Sequence, residues 1–437
     1  MKLSNYNFSF ETGLTNKVIM FNAFTNALAL VEEDKYSVYE SLENNKCCID
    51  EIEDVKFIDE LSQGGFIVRD DVDELKELEN RMWSGRYNSS ALALTLAPTS
   101  DCNFRCTYCY EKDVIHEKRM DKDVRDAVLN LVRQHCGRIR NLHVTWYGGE
   151  PMMALDIIEE LSRALIDICE ENSIEYNAGI ITNGYFITRE TVSLLNILKV
   201  NFYQITLDGE KEIHDVRRPL ADGSGTFDKI MENLTLCADM LPRVALRVNV
   251  DKRNMDSIDK INHLLTGNKI ADKVQAYLGK VTNDSDDPQM REYCFNNKDF
   301  ALLDLDYSRR KEEPEAWESQ FPGIKSNYCS ADALNSFVVN ADGGLYKCWN
   351  DIGKEDRCIG NISGNADAKA NLGTFYDYML FNPMQDPACS KCKMLPICMG
   401  GCPYQRKLTG GEQCTVFKNT LFEHIEYVTS ALISKVN

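Results

Sequence analysis

Histidine is scarce in this chain of 437 residues. The six, at 116, 135, 143, 214, 263 and 424, are too scattered to read as a ligand set. None is assigned to a metal, and His214 is expected to hydrogen-bond locally. Cations are also short: 49 Lys and Arg face 68 Asp and Glu, for a net charge of −19. That balance counts against nucleic acid, since phosphate binding needs clustered positive charge. It suits solubility or a basic peptide partner and decides neither. No apolar run reaches the roughly 18 residues of a membrane span, so no membrane partner is expected. The opening Met1-Lys-Leu-Ser-Asn-Tyr lacks the apolar core of a signal peptide, which predicts a cytoplasmic protein. There is no internal repeat or low-complexity tract. What is present is a globular composition, 43% hydrophobic and 27% charged, with length for two or three domains. There are also seventeen cysteines, which in the cytosol argue for metal or cluster ligation over disulfides.

Three of them form the loop Cys102-Asn-Phe-Arg-Cys106-Thr-Tyr-Cys109. A four-iron cluster needs four ligands, so three thiolates leave one iron open to a small bidentate ligand. A zinc loop or three buried free thiols remain alternatives. Zinc needs a fourth ligand and more often shows CxxC pairs.

Along the chain, residues 1–87 read as a first module. Strands at Asn7, Lys17 and Ala27 are followed by helices near Ser37–Leu42 and Val55–Leu61. A wing hairpin follows Gly64-Gly65, and a helix from Asp71 to Met82 is capped by Asp70 or Asp71. This order suggests a winged-helix-like module that could hold a peptide along a strand edge. Cys47-Cys48 read as structural. From Ala91 strands and helices alternate. The strands are expected at 91–97, 141–147, 178–184, 202–208, 244–250 and 274–281, with helices between them. The fold class is therefore α/β, a partial (β/α)6 open barrel. In such folds the ligand sits at the carboxyl ends of the strands. The cysteine loop, Gly148-Gly149-Glu150-Pro151, Thr182-Asn183-Gly184 and Asp208-Gly209 all fall there. The acidic stretch 286–322 reads as a linker or insertion. From 323 a cysteine-rich domain begins: Cys329, Cys348, Cys358, Cys389, Cys392, Cys398, Cys402 and Cys414, ending in a helix from Thr415 to Lys435. Zinc sites are the alternative for these thiols.

The Cys102-x3-Cys106-x2-Cys109 loop, with Tyr108 before its last thiol and Gly148-Gly149-Glu150-Pro151 beyond, resembles the radical S-adenosylmethionine (SAM) superfamily. The tail is similar to the SPASM extension: Cys329-x13-Gly343-x4-Cys348, then Cys389-x2-Cys392-x5-Cys398-x3-Cys402, then Cys414. The resemblance covers roughly residues 88–437. Gln204-Ile-Thr-Leu-Asp-Gly209, His214-Asp215-x2-Arg218 and Gly225-Thr226-Phe227 look like the sulfatase-maturase and peptide-maturase branch. By strand order alone, residues 1–87 look like the leader-recognition element of enzymes that modify ribosomally made peptides.

The resemblance implies three [4Fe–4S] clusters and SAM. Cys102, Cys106 and Cys109 would hold the cluster whose open iron chelates SAM and cleaves it to a 5′-deoxyadenosyl radical. Tyr108, Gly148, Gly149, Glu150, Thr182, Asn183, Thr206, Asp208, Arg218 and Arg247 would contact SAM. Glu150 suits its ammonium, with two glycines letting the backbone approach the ligand. Relatives place Cys389, Cys392, Cys398 and Cys414 on one auxiliary cluster and Cys329, Cys348 and Cys402 on another, completed by Cys358 or left open to a substrate thiolate. Two departures matter. No cysteine lies between Cys329 and Gly343, where sulfatase maturases carry one. Trp349 stands where they carry a catalytic aspartate; the nearest acid, Asp351, reads as a surface residue more than a base. The expected activity is thioether formation on a precursor peptide with a leader sequence, driven by an external one-electron reductant, flavodoxin or ferredoxin. Carbon–carbon cross-linking, oxidation of Ser or Cys to formylglycine, and a non-catalytic iron–sulfur carrier or zinc scaffold are the competing readings.

Overall fold

The computed structural model describes the chain except residues 14–15, 284–287, 312–315, 365–369, 412 and 437. The acidic run Asp284–Asp287 and much of that at 311–315 thus lie outside the described residues. Two compact units emerge, each from separated segments. One is Met1–Arg86, Asn296–Cys329 and Phe381–Asn437; the other is Tyr87–Phe295 and Ser330–Leu380.

The first unit contains β1 (Lys2–Leu3), β2 (Asn7–Glu11), β3 (Lys17–Asn22), β4 (Ala27–Glu32) and β5 (Ile67–Val68). Strands β2, β3 and β4 form an antiparallel sheet with β3 in the middle. The two-residue period of β3 splits its side chains between two cores. Ile19 and Phe21 join Leu78, Met82, Leu395, Ile397 and Ile425, while Met20 packs with Tyr39, Phe57, Leu61 and Phe66. The expected wing hairpin is not formed: β5 pairs with β1 at the chain's start. The cause is local. Ser4 N and Asn7 Nδ2 donate to Phe66 O at 3.0 and 2.8 Å, and Asn22 Nδ2 donates to Gly65 O at 2.9 Å, so the turn is bound to the first strands. The following helix runs Glu74–Arg86, later than expected. Asp70 is taken by the Met1 amino group and Asp71 by Arg69, so Asp73 accepts from Lys76 N instead. The stretch expected as a linker contains helix Asn297–Arg310, with Ala301, Leu305 and Tyr307 buried. The C-terminal helix spans Leu421–Val436 after a 3-10 turn at Val416–Asn419.

The second unit is built on one nine-stranded sheet. Its strands are β6 (Ala91–Leu96), β7 (Asn141–Trp146), β8 (Glu175–Thr182), β9 (Val200–Thr206), β10 (Val244–Val250), β11 (Val274–Lys280), β12 (Ser336–Val339), β13 (Gly344–Tyr346) and β14 (Gly360–Asn361), in spatial order 11-10-9-8-7-6-12-13-14. Strands β6 to β11 are parallel, as the alternating pattern predicts. Strand β12 extends them in parallel beside β6, and β13 and β14 close the edge antiparallel. The helices cover the sheet through apolar stripes at helical spacing. Val124, Val128 and Val132 are buried on helix Lys122–His135, whose first turn is capped by Asp121. Ile157, Leu161, Leu165 and Ile168 are buried on helix Leu155–Glu171. Because all six strands run the same way, the loops after Leu96, Trp146, Thr182, Thr206, Val250 and Lys280 emerge at one edge.

Candidate active site

That edge holds a cavity of about 360 Å³ lined by the three loop thiols Cys102, Cys106 and Cys109. The cysteine loop follows β6 and is laced to the segment after helix Lys211–Arg217. Arg105 N donates to Pro219 O at 2.8 Å, Thr107 N to Arg217 O at 3.0 Å and Ala221 N to Asn103 O at 2.9 Å. Burial raises all three thiols above the ordinary range, Cys109 to about 12. Metal ligation must therefore displace protons here. Among the described residues no three His, Cys, Asp or Glu side chains are arranged for a single metal ion. A four-iron cluster spreads its thiolates around a body, not a point.

Glu150 is buried, and burial pushes its carboxyl up. Three donors oppose that: Thr182 Oγ1 at 2.6 Å, Asn183 N at 2.8 Å and Met152 N at 3.0 Å. The two glycines before it serve a different contact from the one expected. Gly148 has φ +104°, and a Cβ there would lie 2.7 Å from Ala97 Cβ and 2.8 Å from Thr99 O; a Cβ on Gly149 would strike the Asp101 carbonyl. They admit the backbone of the cysteine loop, which Glu150 N joins by donating to Asp101 O at 2.8 Å.

Tyr108 is the hub of the opposite wall. Its hydroxyl donates to Asp208 Oδ2 at 2.5 Å and accepts from Arg218 Nη1 at 2.7 Å and Asn249 Nδ2 at 3.0 Å. Asp208 also accepts from Arg217 Nε at 3.2 Å, and Arg217 Nη1 reaches Asp251 at 2.7 Å. Burial works against the charge of Arg218, but Cys106, Tyr108 and Asp208 hold it well above its usual value. Its buried Nε has no partner. Arg247 Nε donates to Asn249 Oδ1 at 2.7 Å. His214 accepts from Asp208 N and sits 3.0 Å from Thr226 Oγ1, the local bonding expected of it.

Tyr108, Gly148, Gly149, Glu150, Thr182, Asn183, Thr206, Arg218 and Arg247 all line this cavity with the thiols. Asp208 does not: fully buried, it stands behind Tyr108 with both oxygens engaged, which corrects its expected contact with ligand. Asp351 is likewise no surface acid. It is buried and accepts from Tyr378 Oη at 2.7 Å. Cys358 lies in an apolar cluster with Ala97, Val338, Tyr346 and Ile352, its thiol donating to Gly360 O at 3.0 Å. Glu111, Lys280 and Tyr147 are among the lining residues that escaped the sequence reading. Burial alone lifts Glu111 to about 7, and burial lowers Lys280; the Tyr147 ring lies tilted against Trp349 with centroids 5.5 Å apart. Each ends or follows a recognised element, which was the signal available. In the first unit a second cavity, about 50 Å³, is lined by Cys389, Cys392, Cys398 and Cys414. Cys329 and Cys402 also belong to that unit, and Cys348 to the other.

The parallel sheet, the three-thiol loop and the buried carboxylate at the strand ends define a radical SAM domain, and residues 96–265 match the radical SAM superfamily model. The protein carries that domain and is an enzyme. Among curated proteins it is 25% identical to the cysteine-type anaerobic sulfatase-maturating enzyme of Clostridium novyi (strain NT), over 71% of this chain and 88% of that one. The enzyme of the same name from Clostridium perfringens (strain ATCC 13124) is 24% identical over 79% and 98%. Among solved structures, anSMEcpe with bound AdoMet superposes with TM-score 0.62 at 20% identity, covering 79% of this chain and 98% of that one. Streptococcus suis SuiB superposes with TM-score 0.52 at 16% identity, covering 95% and 99%. At these identities the structural likeness speaks to fold. Among the described residues no helix is long and apolar enough to cross a membrane.

Proposed function

We propose that the protein is a peptide maturase that abstracts a hydrogen from a ribosomally made precursor peptide and installs a thioether between a cysteine sulfur and a carbon. The observation that carries this reading is the cavity of the second unit, where three thiols share a wall with the buried Glu150 carboxylate and the Arg218 guanidinium. That pair suits an amino-acid headgroup: ammonium against Glu150, carboxylate against Arg218, whose buried Nε otherwise has no partner. When bound at Cys102, Cys106 and Cys109, a [4Fe–4S] cluster and SAM supply a 5′-deoxyadenosyl radical by one-electron cleavage. Thr182, Asn183, Thr206 and Arg247 offer polar groups for the rest of the SAM molecule, while Tyr108 orients Arg218. Tyr147 and Trp349 add a pair of aromatic rings to the cavity lining. Two further clusters complete the cofactor set, one on the four tail thiols Cys389, Cys392, Cys398 and Cys414.

The leader of the peptide pairs with an edge of the β2-β3-β4 sheet, and a flavodoxin or ferredoxin supplies electrons. Supporting a peptide partner, SuiB bound to precursor peptide SuiA superposes over 95% of this chain. Trp349, in place of an acid after Cys348, favours cross-linking over the usual base-assisted oxidation. The anaerobically reconstituted enzyme, reduced and mixed with its precursor, should yield 5′-deoxyadenosine and a peptide lighter by two hydrogens. Absence of deoxyadenosine under strong reductant would overturn the reading.

A second reading, oxidation of a cysteine or serine to formylglycine, is favoured by the curated relatives, which are named sulfatase-maturating enzymes and align over 71% and 79% of this chain. A product that reacts with hydrazide would select it.

A further inference from the structure

The small cavity of the first unit places two cations against its thiols. Lys418 Nζ lies 3.4 Å from Cys392 Sγ, and Arg406 Nη2 lies 4.0 Å from Cys389 Sγ. Arg406 is fixed there by more than charge. It donates to Gly400 O, stacks on Phe381 with its guanidinium carbon 4.1 Å from the ring centroid, and keeps a buried Nε without a partner. Among the described residues, the carboxylate paired with it is Asp386, 3.9 Å away and already engaged by the N–H groups of Ala388 and Cys389. This local arrangement runs against the chain's net charge of −19.

A four-iron cluster with four thiolates carries two negative charges when oxidised and three when reduced. The added charge falls on irons and sulfurs held by one buried thiol, Cys398, and three half-buried ones, Cys389, Cys392 and Cys414. Hydrogen bonds and positive charge at the ligand sulfurs favour the reduced state and raise the potential. The loop thiols of the second unit meet a mixed field, with Glu150 near Cys102, Glu111 near Cys109 and the Arg218 guanidinium near Cys106.

We propose that Lys418 and Arg406 set the reduction potential of the cluster at Cys389, Cys392, Cys398 and Cys414, holding it high enough for this site to accept a single electron. They are positioning residues: they touch the ligand sulfurs, not the substrate. This inference rests on the proposed auxiliary cluster, so its test separates the two.

The measurement is an anaerobic redox titration with dithionite, followed by electron paramagnetic resonance, on the full chain carrying Cys102→Ala, Cys106→Ala and Cys109→Ala. In that background the signal comes from the two auxiliary clusters, and the midpoint followed is that of the component that Cys392→Ser removes. Lys418 is exposed, so Lys418→Met leaves folding intact. It should shift the midpoint to more negative values and lower the reduced fraction severalfold at the parent's midpoint. Lys418→Arg should restore it, and Arg406→Met should shift it the same way. An unchanged midpoint in Lys418→Met at equal iron content overturns the inference, as does a shift that Lys418→Arg fails to restore. If Cys392→Ser leaves iron content and spectrum unaltered, the cluster assignment itself falls.

Discussion

A carboxylate removed from water is costly unless donors replace the solvent. Glu150 has three such donors and still faces a cavity, so its remaining acceptor capacity points at whatever occupies that space. Glu150→Gln keeps the shape and removes the charge. Loss of a charge-assisted contact worth about 1.5–3 kcal/mol should weaken SAM binding roughly ten- to a hundredfold in calorimetry. His214 supplies a second test. Burial, then the nearby Arg218, depress its pKa from 6.5 to about 4. Because the folded value lies below the unfolded one, the unfolded chain binds the proton first. This contribution to stability is therefore whole above pH 6.5 and is lost as pH falls toward 4. Each unit of depression is worth about 1.4 kcal/mol, and thermal melts of His214→Gln should show a shallower decline across that window than the parent. Short-range spacing made the thiols, the Gly148-Gly149-Glu150 run and the polar strand ends legible in the sequence. The role of Asp208 was not, since its bond to Tyr108 joins residues 100 apart in the chain and no local pattern encodes it.

At the scale of elements, period-two and period-3.6 patterns located the six parallel strands and the helices between them, because each buries one face against the sheet. The same patterns misplaced the segment at 64–73. There the competing choices, wing or pairing with β1, differ by hydrogen bonds from Ser4, Asn7 and Asn22, more than forty residues away. The cysteine-rich tail shows how a turn depends on its surroundings. Gly401 and Gly410 both have left-handed backbones, φ +78° and +66°. A Cβ at Gly410 would meet nothing within 4 Å, whereas one at Gly401 would run into the Gln413 carbonyl beside Cys414. Gly410→Ala should therefore cost only the conformational penalty, about 1–2 kcal/mol. Gly401→Ala should cost clearly more and, by displacing Cys414, lower the iron retained after reconstitution. Equal melting temperatures for the two variants would contradict this account.

At the scale of the molecule, composition and alternation were enough for an α/β fold, but not for which distant segments share a core. Contacts between residues 1–86 and 381–437 join positions 295 or more apart, and their apolar residues carry no mark of their partners. The consequence is measurable. Ile19, Phe21, Leu78 and Met82 are each fully buried in a cluster that includes Met394, Leu395, Ile397 and Ile425. Burying one large apolar side chain is worth about 1.5–3 kcal/mol, so four of them approach the whole stability of a small domain, about 5–15 kcal/mol. A fragment of residues 1–86 retains its second core, around Met20, Tyr39, Phe57 and Phe66, and loses this one. Expressed alone, it should bind a hydrophobic dye, melt without a sharp transition and exchange the amides of β3 quickly. Supplying residues 381–437 in trans, or fusing them by a flexible linker, should recover protection at Ile19 and Phe21. Were the fragment to unfold cooperatively by itself with protected β3 amides, the shared core would be dispensable and the N-terminal segment an autonomous domain.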